Sequence, residues 1–190
     1  MSARATRLFF AAIVSTYLVI QLAGLRSIGL TDDDDFYIPA GIAYAKWLGD
    51  AVSFREGAWT KQAIDLAFDA NREHPPVAKY VFGICARVFS FLGEADGARV
   101  GTVLFSTLAA ALLLAMAIEH LGRRRGLWVG GLALAFLVSL PRFYFHSHAA
   151  TLDVPVAALY VATAWCALRA ERSTLAGLLV GLIFGLALAT

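Results

Sequence analysis

The chain has 190 residues, of which 59% are hydrophobic and 16% charged, with a formal net charge of +2. A soluble domain carries about 25% charged residues, and a core of this size cannot hold so much apolar surface, so composition excludes an ordinary water-soluble globule; the mean hydropathy of +0.69 agrees. So small a net charge gives no basis for a nucleic acid partner, and none is expected.

Met1–Arg7 carries Arg4 and Arg7 and leads into an apolar run, Leu8–Leu25. That run exceeds the about 7–15 residues of a signal-peptide core. No small-residue cleavage site leads into a soluble domain, so the run reads as an uncleaved signal anchor that spans the bilayer. Arg26–His74 is polar and holds most of the acids. Within it, Phe36–Leu48 predicts an amphipathic helix whose N-terminus the preceding acids favour. Thr60–Asp69 predicts a second, with Ala63, Ile64, Ala67 and Phe68 on one face. His74-Pro75-Pro76 stops a helix and opens the next.

Val77–Leu92 is apolar but interrupted by Lys79 and Arg87. Each costs about 2.5–3.5 kcal/mol at the centre of a spanning helix, so this segment reads as an interfacial helix. Val100–Leu121, Gly126–Phe145, Ala149–Leu168 and Leu175–Thr190 read as further spans. The expected fold is all-α, a polytopic transmembrane bundle of about five spans. It forms one module over 1–190, and its first outer loop, 26–98, carries short juxtamembrane helices. Cys85 and Cys166 lie in apolar helical stretches without metal spacing and read as small core residues.

Arg4/Arg7, Arg123-Arg124-Arg125 and Arg169/Arg172 are the basic segments beside spans. If Val77–Leu92 does not cross, all three fall on one side, and Asp32–Asp35, His74 and Asp153 fall on the other. The positive-inside rule then places the N-terminus in the cytoplasm and the acidic side outside, in a multi-pass protein of the cell membrane.

Three features on that outer side carry candidate chemistry. In Thr31-Asp-Asp-Asp-Asp-Phe-Tyr37, four adjacent carboxylates repel one another, which raises some pKa values. Such a group serves as a general base, as a metal ligand, or as a solvated helix cap. In Asn71-Arg-Glu-His-Pro-Pro-Val-Ala-Lys79, the groups Arg72, His74 and Lys79 suit either a phosphate grip or anchoring at the headgroups. In Arg142-Phe-Tyr-Phe-His-Ser-His-Ala-Ala-Thr-Leu-Asp153-Val-Pro155, Asp153 starts a helix at or in the membrane, where ionisable groups are expensive. His146 and His148 beside it suit a metal, while Thr151 or Asp153 also suits a helix cap.

The order of these motifs resembles the GT-C glycosyltransferases, in particular the protein O-mannosyltransferase and aminoarabinose transferase group. Asp33-Asp34-Asp35-Phe36-Tyr37 is similar to the acidic pair and aromatic of that group's first outer loop. His74-Pro-Pro-Val-Ala-Lys79 is similar to its His-Pro-Pro-Leu-Gly-Lys stretch, with Val77 and Ala78 in place of Leu-Gly. Arg99 resembles an arginine opening the next span, and Thr151-Leu-Asp-Val-Pro155 a later small-Leu-Asp-x-Pro element. Gly181-Leu-Ile-Phe-Gly-Leu-Ala-Leu-Ala-Thr190 resembles the lead-in to the family's next element, a lysine just past a Gly-rich span, and this sequence ends before that position.

The resemblance implies inverting transfer of a sugar from a polyprenyl-phosphate donor to a protein, lipid or glycan acceptor. Asp33 or Asp34 would be the base, and Asp153 would orient the sugar or acceptor. Arg72, His74, Lys79, Tyr37 and His148 would bind substrate or lipid phosphate. No cofactor is expected; a divalent metal fits some members of the superfamily but is not favoured. Family members are longer, so the expectation is the N-terminal portion of such an enzyme. Two other readings are a non-catalytic membrane subunit binding a partner or lipid carrier, and a transporter segment with an acidic vestibule.

Overall fold

A computed structural model describes residues 1–190 as helices and short connections. Helix α1 (Ala3–Ala23) begins where the Ser2 hydroxyl accepts the Ala5 N–H at 3.2 Å. At the start of α2 (Asp32–Val52), Thr31 and Asp34 form a reciprocal capping box, and all four aspartates lie in the first turn. There the unpaired N–H groups and the helix dipole favour negative charge. The helix expected over Phe36–Leu48 is therefore longer at both ends, because Thr31 supplies the cap and the acids fall inside it.

Thr60 caps α3 (Lys61–Phe68). Pro75 and Pro76 precede α4 (Val77–Val88), which at 12 residues, about 18 Å, is too short to cross a membrane. A 3-10 turn over Ser90–Leu92 leads to α5 (Glu94–Leu121), which starts earlier than the apolar pattern and so takes Arg99 into the helix.

The single span expected over Gly126–Phe145 is two helices, α6 (Arg123–Ser139) and α7 (Pro141–His148), bent by 77°. Pro141 is the cause. It lacks an N–H, and it holds Leu140 in an extended conformation (φ −73°, ψ 115°), so it can start a helix but not continue one. The chain ends with α8 (Asp153–Ala170) and α9 (Thr174–Leu188). Each of the five expected spans thus has a helical counterpart. Length and apolarity alone qualify α1 and α5, and α6–α7 if the bent pair counts as one span. At 18 and 15 residues, α8 and α9 are shorter than the about 20 that a full span needs.

Helix α5 is the hub, packing against α1, α4, α6, α7 and α8, while α2 lies on α4 and α9 on α8. Small residues make these approaches possible, as between membrane helices generally. Gly126 and Gly130 of α6 face Ile118 and Leu114 of α5, and Gly97 of α5 faces Ala86 of α4. The tightest crossing is α2 on α4. A Cβ on Gly83 would meet the Gly41 carbonyl oxygen, and one on Gly41 would meet the Lys79 carbonyl oxygen. Only 50 of 190 residues are buried although 59% are hydrophobic, so much of the apolar surface faces outward. Leu8, Phe9 and Val19 of α1 and Leu178 and Leu182 of α9 are among the exposed residues, as lipid-facing helices require.

Gly83→Val should lower the thermal unfolding midpoint of detergent-solubilised protein, at a cost of roughly 3 kcal/mol from overpacking against backbone. Gly181→Val, at a position with nothing within 4 Å, should leave the midpoint unchanged. Equal midpoints for the two variants would contradict the α2–α4 contact.

Candidate active site

The first turn of α2 decides which aspartate does what. Successive residues of a helix point about 100° apart, so Asp33 shares a face with Tyr37, and Asp34 shares one with Ile38 and Gly41. Ile38 and Gly41 are buried against α4, and Asp34 goes in with them, only 1% exposed. There it meets Arg99 of α5, itself buried, at 2.6 Å (Oδ2) and 3.3 Å (Oδ1). Asp34 also accepts the Thr31 N–H at 2.9 Å, the Thr31 hydroxyl at 3.0 Å and the Ala150 N–H at 2.8 Å. Burial alone would raise its pKa. The Arg99 donors and the Ala150 and Thr31 N–H groups outweigh that and hold it below the usual carboxylate value. Every oxygen of Asp34 is committed, and none faces open space.

Asp33 has the opposite environment. It lines a cavity of about 340 Å³ between four segments. Helix α2 supplies Asp33 and Tyr37, the α3–α4 connection supplies His74 and Pro75, the start of α8 supplies Leu152, Asp153 and Val156, and the end of α9 supplies Leu188 and Thr190. The Val77 N–H donates to the Ala189 carbonyl at 3.0 Å, so the end of α9 is pinned to the start of α4. Partial burial raises the Asp33 pKa, and the charges of Asp153, Asp34 and Asp32 add to it, partly offset by His146. Burial, and then the charges of Asp33, Glu73 and Asp153, likewise raise the Tyr37 phenol.

Across the cavity, Asp153 is the first residue of α8. Its Oδ2 lies 2.9 Å from His146 Nδ1, close enough for an ion pair but out of line for a hydrogen bond from the ring. No third His, Cys, Asp or Glu joins them in a group that could hold a metal. His74 is exposed and stands edge-on to Tyr37, ring centroids 5.8 Å apart.

Of the residues singled out in the sequence, the structure brings Asp33, Tyr37, His74 and Asp153 to one cavity. The others go elsewhere. Arg72 pairs with Asp69 on the surface. Lys79 is fully buried, its Nζ donating to Asn71 Oδ1 (2.7 Å) and the His74 carbonyl (2.6 Å). His148 is also fully buried, its ring nitrogens 2.6 Å from the Tyr144 carbonyl and 2.8 Å from the Gln21 carbonyl. Helix spacing puts Asp33 and Asp34 on different faces but does not say which face turns inward. What was hidden was the Ala150 N–H, a backbone donor that leaves no mark in sequence.

Asp34→Asn should destabilise the protein by about 3–5 kcal/mol, because it strands Arg99 as a buried, unpaired charge. Asp33→Asn should leave the unfolding midpoint within about 0.5 kcal/mol of the parent. Because folding depresses the Asp34 pKa, its contribution is present above the unfolded-state value and is lost as pH falls through the folded one. The stability of Asp34→Asn should accordingly change less between pH 6 and pH 3 than that of the parent. Equal acid sensitivity would contradict the ionised pair.

Residues 73–190, more than half of the chain, match the dolichyl-phosphate-mannose-protein mannosyltransferase family. No match is found among curated proteins or among solved structures. The matched region opens one residue before His74 and includes Lys79, Arg99, His146 and Asp153. The acidic cluster lies ahead of it and is joined to it through the Asp34–Arg99 pair. This chain belongs to the dolichyl-phosphate-mannose-protein mannosyltransferase family, membrane glycosyltransferases of the GT-C type.

Proposed function

We propose that this protein moves a sugar, with inversion, from a polyprenyl-phosphate donor to a protein, lipid or glycan acceptor, with Asp33 as the general base. The acceptor hydroxyl or amine attacks the anomeric carbon while Asp33 takes its proton. The bond from that carbon to the phosphate oxygen breaks, and polyprenyl phosphate leaves with the electron pair. The observation that carries this reading is the convergence of Asp33, His74 and Asp153, from three separate segments, on one cavity.

A base suited to near-neutral pH needs a pKa above the ordinary carboxylate value, and the surroundings of Asp33 push it that way. His74 is the cavity residue able to take positive charge beside the leaving phosphate. Asp153 orients sugar or acceptor through oxygens that Asp33 does not need. Arg72 contributes only a general positive potential, and Lys79 acts through the loop it holds. Asp34 and His148 shape the site without touching substrate, and no metal forms part of this reading.

The reaction would take place on the non-cytoplasmic face of the cell membrane. Arg123 reaches the Met1 carbonyl, and Arg169 pairs with Glu119, so the arginine-rich helix ends gather away from the cavity. The positive-inside rule assigns that end to the cytoplasm. Labelling of Asp33→Cys and Arg124→Cys by an impermeant thiol reagent from the same side would refute this orientation.

Membranes containing the full-length gene product, given labelled polyprenyl-phosphate sugars, provide the test. Asp33→Asn should reduce transfer by about 10²–10⁴-fold, while Asp32→Asn and Asp35→Asn should stay near the parent rate. Undiminished transfer by Asp33→Asn would sink the assignment. In the same assay, Asp153→Asn removes a charge that raises the Asp33 pKa, so the acid limb of the pH profile should move to lower pH whatever happens to the maximal rate. A limb that stayed in place would show that Asp33 is not the group it reports.

A further inference from the structure

The bundle end that carries the arginines has a feature the proposed reaction does not use. Between the N-terminal halves of α1 and α6 lies a cavity of about 540 Å³, lined by Phe9, Ile13, Leu127 and Trp128, with Met1 and Arg124 at its mouth. A second, of about 280 Å³, continues along the same seam between Ile20 of α1 and Val138 of α6. Ile13 lines both, so the two form one furrow. From Phe9 to Ile20 the furrow follows α1 for about 16 Å at 1.5 Å per residue, which matches the about 15 Å hydrocarbon depth of a single leaflet.

Its chemistry is one-sided. Arg124 carries the only charged side chain lining either part, and it stands at the mouth beside Met1. Arg123 and Arg125 flank it in sequence, Arg4 and Arg7 lie near the start of α1, and all four are exposed. No carboxylate lies within ion-pair distance of any of these five guanidinium groups. Trp128, 69% exposed, forms the lip, a position an indole takes where chain meets headgroup. Gly131 opens the middle of the furrow; a Cβ there would have only Ile13 Cδ1, at 3.8 Å, as a neighbour.

We propose that this furrow is a binding site for one anionic glycerophospholipid, its acyl chain lying along the α1–α6 seam and its phosphate held by Arg124. The depth fits a chain from one leaflet, and the polar side chains on the wall are Thr16 and Tyr17, whose hydroxyl is already bonded to Ser106 and Gln21. A guanidinium presents paired donors to phosphate oxygens, which suits it to a headgroup better than a point charge would. A polyprenyl-phosphate donor would sit at the other end, in the Asp33 cavity, so the two lipid sites are distinct in place and in chemistry.

Trp128 provides the readout. The full chain, with Trp47, Trp59 and Trp165 replaced by Phe, would be placed in phosphatidylcholine bilayers. These would contain increasing fractions of acyl-brominated phosphatidylglycerol or acyl-brominated phosphatidylcholine. Brominated phosphatidylglycerol should quench Trp128 at a mole fraction about fivefold lower than brominated phosphatidylcholine. Arg124→Gln should abolish that preference, and Arg124→Lys should keep part of it. Arg125→Gln, outside the furrow, should leave it intact. Gly131→Leu should reduce quenching by both lipids. Equal quenching by the two lipids in the parent would overturn the proposal. So would an Arg125→Gln effect as large as that of Arg124→Gln, which would mean diffuse surface charge alone. Quenching unaffected by Gly131→Leu, together with cross-linking between copies at this seam, would give the furrow to a second copy of the chain and overturn it as well.

Discussion

A buried ion pair, Asp34 with Arg99, is the interaction on which the acidic end of this molecule depends. Removing both charges from water is expensive, and their mutual attraction offsets that only if the remaining lone pairs and protons are satisfied. Asp34 is fully satisfied, accepting from Arg99, Thr31 and Ala150, and Arg99 donates two of its three remaining protons to the Ile28 and Gly29 carbonyls. One pair therefore joins four segments: the α1–α2 linker, the start of α2, α5, and the connection between α7 and α8. Such a pair says little about net stability. It bears on uniqueness instead, because sliding α2 along α5 would part Asp34 from Arg99 and strand both as buried charges.

The cavity follows from that anchoring and from two backbone features. With Asp34 pinned inward, Asp33 and Tyr37 must turn about 100° away, toward the α3–α4 connection. The bare backbones of Gly41 and Gly83 let α2 lie against α4, bringing Tyr37 within ring contact of His74. On the far side, Pro141 breaks the α6–α7 run, and the 77° bend carries His146 to Asp153. A straight helix over the same residues would have carried His146 off in another direction. The proline that spoils a continuous span thus sets His146 against Asp153, which lines the cavity.

Much of this was legible in the residues. Hydropathy marked the helices that meet the membrane, and Thr60 marked the start of α3, whereas α2 starts at Asp32 rather than Phe36 because Thr31 is its cap. The order His74…Lys79…Arg99…Asp153 carried the family. What sequence left open was long-range. The choice between Asp33 and Asp34 turns on a guanidinium 65 residues away and on a backbone N–H 116 residues away. The break at Leu140 was signalled by Pro141, but apolarity continued across it, so composition and backbone sterics pointed in opposite directions and sterics won. His148 looked like a ligand beside His146, yet the α7 register sends it to the Gln21 carbonyl, deep in the bundle.

Lys79 shows how a residue can matter to a site without facing it. As a cation near a lipid phosphate it suggested direct contact, but its Nζ points the other way, to Asn71 Oδ1 and the His74 carbonyl, between the rings of Tyr37 (5.7 Å) and Tyr44 (5.6 Å). Burial lowers its pKa to about 8. The oxygens and ring faces around it all favour the charged form, so it is an ammonium at neutral pH. Between pH 8 and the unfolded value of 10.5, the folded protein gives up this proton first. The unfolded chain then binds more protons, and this group's linkage term favours the folded state as pH rises. The loop nevertheless loses a donor over the same range. Alkaline pH therefore acts in opposite directions on the fold and on the order of the loop that carries His74. The lysine's part in the proposed reaction is to hold that histidine over Tyr37, at the edge of the cavity where Asp33 works.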